Sequence, residues 1–330
     1  MNQRILVMGG TGFVGRAVLE RLVERNGGGG GLLRVPTRRL GHARDVQSLP
    51  TVEVVQADVH DEAQLTRLLA GVEAVIQLVA ILHGSEAGFR RVHVELLQKL
   101  ARACQAQGVR RVVQVSALGL PAGADAAAQT PPSNYLRSKL EGEAVLKAAQ
   151  ATAGLQLTLL RPSVIFGAED RFLNTFAQLQ AVAPVMPLAG GGARFQPVWV
   201  EDVASAVVRC LDRPDTIGQT YELAGPGVYT LSRLVQLSGL WSGHERPQIP
   251  LPAGVGKLQA LMMELLPGEP LMSRDNVDSM KVPNVASGQL PGLQALGITP
   301  TALEAVAPGY LSAAQGRGKL NRLRARARRA

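Results

Sequence analysis

The run Gly9-Gly10-Thr11-Gly12-Phe13-Val14-Gly15 interrupts the chain between an apolar burst, residues 5–8, and a stretch of helical spacing that begins near Val14. Glycines at GxxGxxG spacing on a strand-to-helix turn restrict what a chain can fold into more than any apolar pattern does. Gly9 permits a tight turn, Gly12 lets backbone N–H groups approach a pyrophosphate, and Gly15 lets the helix pack closely against the strand. Thr11, Phe13 and Val14 complete the turn. The helix N-terminus behind it adds partial positive charge facing an anion.

Short apolar bursts then recur at 32–36, 52–57, 74–80, 111–115 and 155–160, separated by helical patterns at 62–70, 89–106 and 133–151. Nearly continuous apolar strands alternating with helices predict a parallel sheet covered on both faces. The expected fold is therefore α/β: a Rossmann-type doubly wound parallel sheet with a smaller, mostly helical C-terminal lobe. Gly27 to Gly31 between the first helix and second strand reads as a flexible connector with no chemical role. After about residue 165 the alternation weakens. Helical patterns at 172–183, 202–212, 232–240 and 255–266 are interleaved with two last sheet strands at 195–200 and 221–223. The expected boundaries are 1–230 for the nucleotide-binding domain, with a lobe insertion at about 168–193, then 231–316 for the small lobe and 317–330 for a basic tail. There is no internal repeat.

An NAD-type site usually carries an acid at the end of the second strand to hold the adenosine ribose hydroxyls. Here that strand runs into Thr37-Arg38-Arg39. Two guanidinium groups suit a 2′-phosphate, with Arg16 placed to assist from the first helix, so NADP(H) is expected over NAD(H). Asp58-Val59, after the third strand, is expected at the adenine edge, with a plain helix N-cap as the alternative for Asp58. Tyr135-Leu136-Arg137-Ser138-Lys139 places a tyrosine and a lysine on one helix face at i, i+4. A nearby ammonium favours the phenolate and lowers the tyrosine pKa, readying it for proton transfer with a carbonyl oxygen.

With the glycine loop and the YxxxK unit together, the chain resembles the short-chain dehydrogenase/reductase superfamily in its extended or atypical branch. The resemblance covers most of residues 4–313. It is strongest at Arg161-Pro162-Ser163-Val164-Ile165-Phe166-Gly167 running into Glu169-Asp170-Arg171-Phe172-Leu173-Asn174, at 196–204 and at 221–226. Together these stretches resemble the nucleotide-binding accessory subunits of respiratory complex I, alpha subcomplex subunit nine, and their bacterial relatives. That resemblance implies NADPH held as a structural ligand beside a membrane arm, and a link to ubiquinone metabolism in related branches. It also implies that Val79, Ala80, Ser116 and Pro162 line the cofactor, and that Lys139 bonds the nicotinamide ribose.

The chain departs from the enzymatic pattern at two positions. Leu118 stands where active members place a serine or threonine, and a leucine cannot hydrogen-bond a substrate carbonyl. His93 stands where an asparagine is usual, and is expected to be a polar residue on a half-buried helix face, with a catalytic role as the alternative. Two classes of function follow. One is an NADP(H)-binding accessory or assembly protein of a respiratory or quinone-related membrane system, favoured by Leu118. The other is a working NADP-dependent reductase, epimerase or dehydratase using Tyr135 and Lys139.

Composition excludes several alternatives. The formal charge is +9, but the last fourteen residues carry seven basic side chains and no acid, which leaves the preceding 316 residues at +2. No general nucleic-acid footprint remains, and aromatic residues at 4% are too few for stacked-base recognition. The tail suits an anionic membrane surface, with a solvated terminus as the alternative. Cys104 and Cys210 stand apart, and His42, His60, His83, His93 and His244 are scattered without metal-ligand spacing, so neither a disulfide framework nor a metal site is expected. No apolar run reaches the roughly 18 residues of a spanning helix. The first strand begins almost at once, so no leader is expected and the expected location is cytoplasmic, with peripheral attachment to the inner membrane as the tail's contribution. The apolar segment 257–266 is expected to be a buried helix of the small lobe, with a docking surface for a membrane, a quinone-like tail or a partner subunit as the sharper alternative.

Overall fold

A computed structural model describes residues 3–29, 31–122, 130–265 and 272–312. The chain divides into two compact units, Met1–Pro162 with Val200–Leu223 and Ser287–Thr299, and Ser163–Trp199 with Ala224–Ala286 and Pro300–Ala330.

The first unit is built on a seven-stranded sheet: β1 (Arg4–Met8), β2 (Leu32–Thr37), β3 (Val52–Gln56), β4 (Ala74–Gln77), β5 (Arg111–Val115), β6 (Gln156–Pro162) and β7 (Thr220–Leu223). Their spatial order is β7-β6-β5-β4-β1-β2-β3, and every neighbouring pair is parallel. The order reverses between β1 and β4, so the carboxyl ends of these two strands flank the crevice where doubly wound sheets take ligands. Helices α1 (Phe13–Arg25), α2 (Glu62–Leu68), α3 (Glu86–Arg90), α4 (Leu96–Gln107), α5 (Asn134–Ala153) and α6 (Val200–Asp212) accompany the sheet. The central strands are largely apolar because both faces are covered: Ile5, Leu6, Val7 and Met8 are fully buried, as are Val75, Ile76, Val112 and Val113. Leu65, Leu69, Leu96, Leu100, Cys104 and Leu146 pack from α2, α4 and α5 into one continuous core with the strands.

Two buried cations brace the sheet differently. Arg161 on β6 forms a two-pronged ion pair with Glu143 on α5, at 2.9 and 2.6 Å, and its third nitrogen donates to the Pro121 carbonyl. Arg111 on β5 instead donates to the carbonyls of Gln156 and Cys210 and to the hydroxyls of Thr158 and Thr216. The exposed edge at β7 is closed by residues 287–299: Glu222 N–H donates to the Pro291 carbonyl at 2.9 Å, and Ser287 donates twice to the Glu222 carboxylate.

The second unit packs helices Leu173–Val182, Leu231–Ser242 and Leu303–Leu311 around Phe166, Leu234, Leu237 and Ala307. Its strands are short pairs outside the main sheet: Val198–Trp199 with Ile165–Phe166, Arg194–Phe195 with Tyr229–Thr230, and Met186–Ala189 with Gln248–Leu251. Asp170 is buried and accepts the N–H groups of Gly167, Phe172, Leu173 and Asn174 together with the Tyr310 hydroxyl, which fixes the entry to Leu173–Val182.

The structure corrects three local expectations. Residues 195–200 form no strand of the main sheet: they split into two two-residue strands, and Val200 already opens α6. The apolar helix Ala253–Glu264 is not a buried one. Leu258, Met262 and, just past its end, Leu265 are 58%, 65% and 78% exposed, whereas Gly256 and Ala260 are buried. The continuous helix expected over 89–106 is broken into α3, a π turn at Arg91–Glu95, and α4. Among the described residues no helix is long and apolar enough to cross a membrane. The basic tail lies outside the described residues.

Candidate functional site

The turn between β1 and α1 has the geometry its glycines predict. Gly9 is at φ +82°, in the left-handed region, and Gly12 N–H donates to its carbonyl at 3.0 Å. A Cβ at Gly15 would lie 2.2 Å from the Gly9 oxygen, so the first turn of α1 fits against the loop only with hydrogen at that position. A Cβ at Gly9 would lie 3.1 Å from the Val79 nitrogen, which brings the end of β4 against the turn. Gly12 is the N-cap residue of α1 with no side-chain cap, and no acid stands in the first turn. The leading N–H groups of α1 therefore meet no side-chain acceptor of their own helix, the arrangement that receives a phosphate.

At the end of β2, Thr37 is buried and hydrogen-bonded to the Arg39 backbone, while Arg38 and Arg39 are exposed. Arg16, expected to assist them, is paired with Asp45 at 2.9 Å. After β3, Asp58 accepts the His60 N–H at 3.0 Å and is not the cap of α2; that role falls to Asp61, which accepts from Ala63 and Gln64. Lys99 on α4 donates to the His60 carbonyl at 2.6 Å. Burial and then the charges of Arg91, Lys99 and Arg38 hold the His60 imidazole below its usual pKa, against the pull of Asp58. Arg91 and Lys99 were not legible as part of this end of the site, because the fold alone brings α4 alongside the end of β3.

Val79 follows β4 and is held by Gln77, which accepts its N–H at 2.9 Å; Ala80 beside it is exposed. Ser116 follows β5, with its N–H on the Leu160 carbonyl at 2.7 Å. Its hydroxyl is buried and has no hydrogen-bond partner among the described residues. Leu118 is buried and donates its N–H to the carbonyl of Pro162 at 2.9 Å, so the position expected to lack a hydroxyl is firmly part of the core.

Helix α5 begins with Ser133 capping Leu136 N–H, which sets the phase that brings Tyr135, Ser138 and Lys139 toward the sheet. Lys139 is 5% exposed, its Nζ stands 5.9 Å from the centre of the Tyr135 ring, and it donates at 3.5 Å to the Val115 carbonyl. Burial pulls the lysine pKa down to about 8, opposed by Glu143. Burial also pushes the Tyr135 phenol above its ordinary value. The expectation that the ammonium lowers the phenol pKa is therefore not met: desolvation of the phenolate by burial governs the shift.

His93 was expected to be half-buried, but it is 3% exposed. It occupies the middle of the π turn, a device that recurs where a helix serves a site. Gln77, Val79, His93, Gln114, Ser116, Lys139 and Glu143 line a small enclosed cavity between sheet and helices. Glycine loop, Val79, Ser116, Tyr135 and Lys139 all belong to the first unit, and the loop, Val79 and Ser116 follow the carboxyl ends of neighbouring strands β1, β4 and β5. Among the described residues no cluster of His, Cys, Asp and Glu has metal-binding geometry.

A glycine turn under a helix N-terminus, beside a Tyr–Lys pair on a parallel sheet, defines the extended short-chain dehydrogenase/reductase class. The chain belongs to the NAD dependent epimerase/dehydratase family, whose sequence profile matches residues 5–224. Within that class it is similar to NADH dehydrogenase [ubiquinone] 1 alpha subcomplex subunit 9, mitochondrial, of Mus musculus, at 32% identity over 309 residues, covering 90% of this chain and 77% of that protein. It is also 32% identical over 208 residues to a ceramide reductase of Caulobacter vibrioides, covering 62% of this chain and 59% of that one. Among solved structures, the dTDP-glucose 4,6-dehydratase DesIV of Streptomyces venezuelae, with NAD and TYD bound, shares the fold at a TM-score of 0.71 and 21% identity, covering 94% of this chain and 96% of that one.

Proposed function

We propose that this chain holds NADP(H) in the crevice above Gly9–Gly15 and acts as an accessory or assembly protein of a respiratory or quinone-linked membrane system. The observation that carries the accessory reading is Leu118. A buried leucine replaces the hydroxyl that would orient a carbonyl beside Tyr135. Adenosine phosphate would meet the exposed Arg38 and Arg39, with Arg91 and Lys99 contributing positive charge near His60. The adenine edge would lie along Asp58 and Val59. Pyrophosphate would take the N–H groups of Thr11 to Val14, and the nicotinamide ribose would hydrogen-bond Lys139, with the Tyr135 ring packed beside it and Val79, Ala80, Ser116 and Pro162 along the strand ends. The cofactor supplies hydride-transfer chemistry when bound; here its main effect is to stabilise the fold, by about 2.7 kcal/mol at a hundred times its dissociation constant.

The likeness to a complex I subunit over 90% of the chain supports a respiratory-complex partner. Nucleotide retained through purification and identified by chromatography tests the cofactor, with NADPH expected and equal affinity for NADH and NADPH contradicting the assignment. Membrane attachment predicts salt-sensitive sedimentation with anionic liposomes that is lost on truncation after Gly316. A second reading, a working reductase on Tyr135 and Lys139, draws on the relative named as a ceramide reductase. Its sign would be oxidation of NADPH by a carbonyl substrate.

A further inference from the structure

Val79 and Ala80 follow β4, whereas Tyr135 and Lys139 ride on α5, and one buried side chain joins the two elements. Ile81 N–H donates to Nε2 of His93 at 3.2 Å, which leaves the proton on Nδ1. That nitrogen stands 2.8 Å from Ser138 Oγ and donates to it, and Ser138 Oγ in turn donates to the Tyr135 carbonyl at 2.8 Å. The imidazole stacks on Phe89 with ring centres 5.7 Å apart and meets the Tyr135 ring edge-on at 5.6 Å. Phe89 also meets Tyr135 edge-on at 6.0 Å. Both ring nitrogens, one face and one edge of His93 are thus engaged, by the segment after β4, by α5 and by Phe89 of α3.

The π turn makes this reach available. It brings the His93 carbonyl so close to α5 that a Cβ at Gly142 would lie 2.2 Å from it. Burial, with Lys139 adding to it, pulls the His93 pKa down to about 3, so the ring stays neutral and keeps an acceptor for Ile81 at any physiological pH.

We infer that His93 is a positioning residue for the nicotinamide half of the nucleotide site, fixing the segment after β4 against the helix that carries Tyr135 and Lys139. The inference rests on the nucleotide-binding reading above. Its distinguishing feature is that it concerns one half of the ligand: the adenosine half lies toward Arg38, Asp58 and His60, none of which His93 touches in any contact described above.

The test compares two probes, NADPH and adenosine 2′,5′-bisphosphate, on the full chain. His93→Phe keeps a ring of similar size and removes both hydrogen bonds. Loss of a buried bond that leaves its partner unsatisfied corresponds to about tenfold or more in affinity. NADPH binding is expected to weaken by about that factor while the bisphosphate binds as before. His93→Gln, which can accept from Ile81 and donate to Ser138, is expected to restore most of the loss. Ser138→Ala, which disturbs packing least, is expected to act in the same direction and decides the matter if His93→Phe does not fold. Equal weakening of both probes, or of neither, overturns the inference while leaving nucleotide binding intact. A wild-type chain that binds neither probe overturns the nucleotide reading itself.

Discussion

Lys139 presents its ammonium to the face of the Tyr135 ring, 5.9 Å from the centroid, with the Val115 carbonyl at 3.5 Å as its described hydrogen-bond acceptor. A buried cation so modestly compensated is a cost to the folded protein, and it has a pH signature. The folded-state pKa of about 8 lies below the ordinary 10.5, so between these values the unfolded chain binds more protons. Stability contributed by this residue therefore rises with pH from about 8 to 10.5, by about 3 kcal/mol at the limit. Denaturant titrations of the nucleotide-free protein across that range should show the rise in wild type relative to Lys139→Met. The same variant should hold NADPH more weakly.

His93 carries a dependence of the same sign in a more acidic window. A histidine held neutral, with its folded pKa near 3, stabilises the fold above pH 6.5, and this contribution is lost as the pH falls toward 3. His93→Gln removes the titrating group, so its stability should fall less steeply than that of wild type between pH 6.5 and 4, measured by thermal unfolding.

The Glu143–Arg161 pair is buried on both sides. Glu143→Gln leaves the guanidinium uncompensated and should destabilise the protein by about 3 kcal/mol or more, whereas replacing both residues with leucine and methionine should recover much of the loss. Chemical denaturation of the single and double variants decides this. A double variant as unstable as Glu143→Gln would show that shape rather than charge governs the site.

Gly15→Ala places a methyl group 2.2 Å from the Gly9 oxygen, and Gly12→Ala places one at 3.3 Å from the same atom. The first should abolish nucleotide binding and lower the melting temperature. The second should leave the fold largely intact and weaken binding less. Calorimetry with NADPH separates the two.

The glycine turn was legible in the sequence because a left-handed Gly9 and a Cβ-free Gly15 have no substitute among the other residues. The YxxxK face was legible because helical spacing alone places Tyr135 and Lys139 together. The parallel sheet followed from the apolar strands. What the sequence concealed depends on tertiary neighbours. Nothing in residues 89–106 signals that the helix widens at Arg91–Glu95, where it meets α5 so closely that Gly142 has no room for a Cβ. Asp58 and Asp61 are equally good caps on paper, and only the backbone path at His60 chooses the second. Burial raises the Tyr135 pKa where local spacing pointed to a lowered one. Leu258 and Met262 have the composition of core residues and are exposed.

The central claim is that the nucleotide is held rather than turned over, and Tyr135→Phe tests it most directly. NADPH affinity and NADPH oxidation are measured together, for wild type and variant, across a panel of carbonyl substrates. The account predicts unchanged affinity and no turnover in either protein. Turnover in wild type that disappears in Tyr135→Phe, with affinity unchanged, would contradict it and make the chain a working reductase.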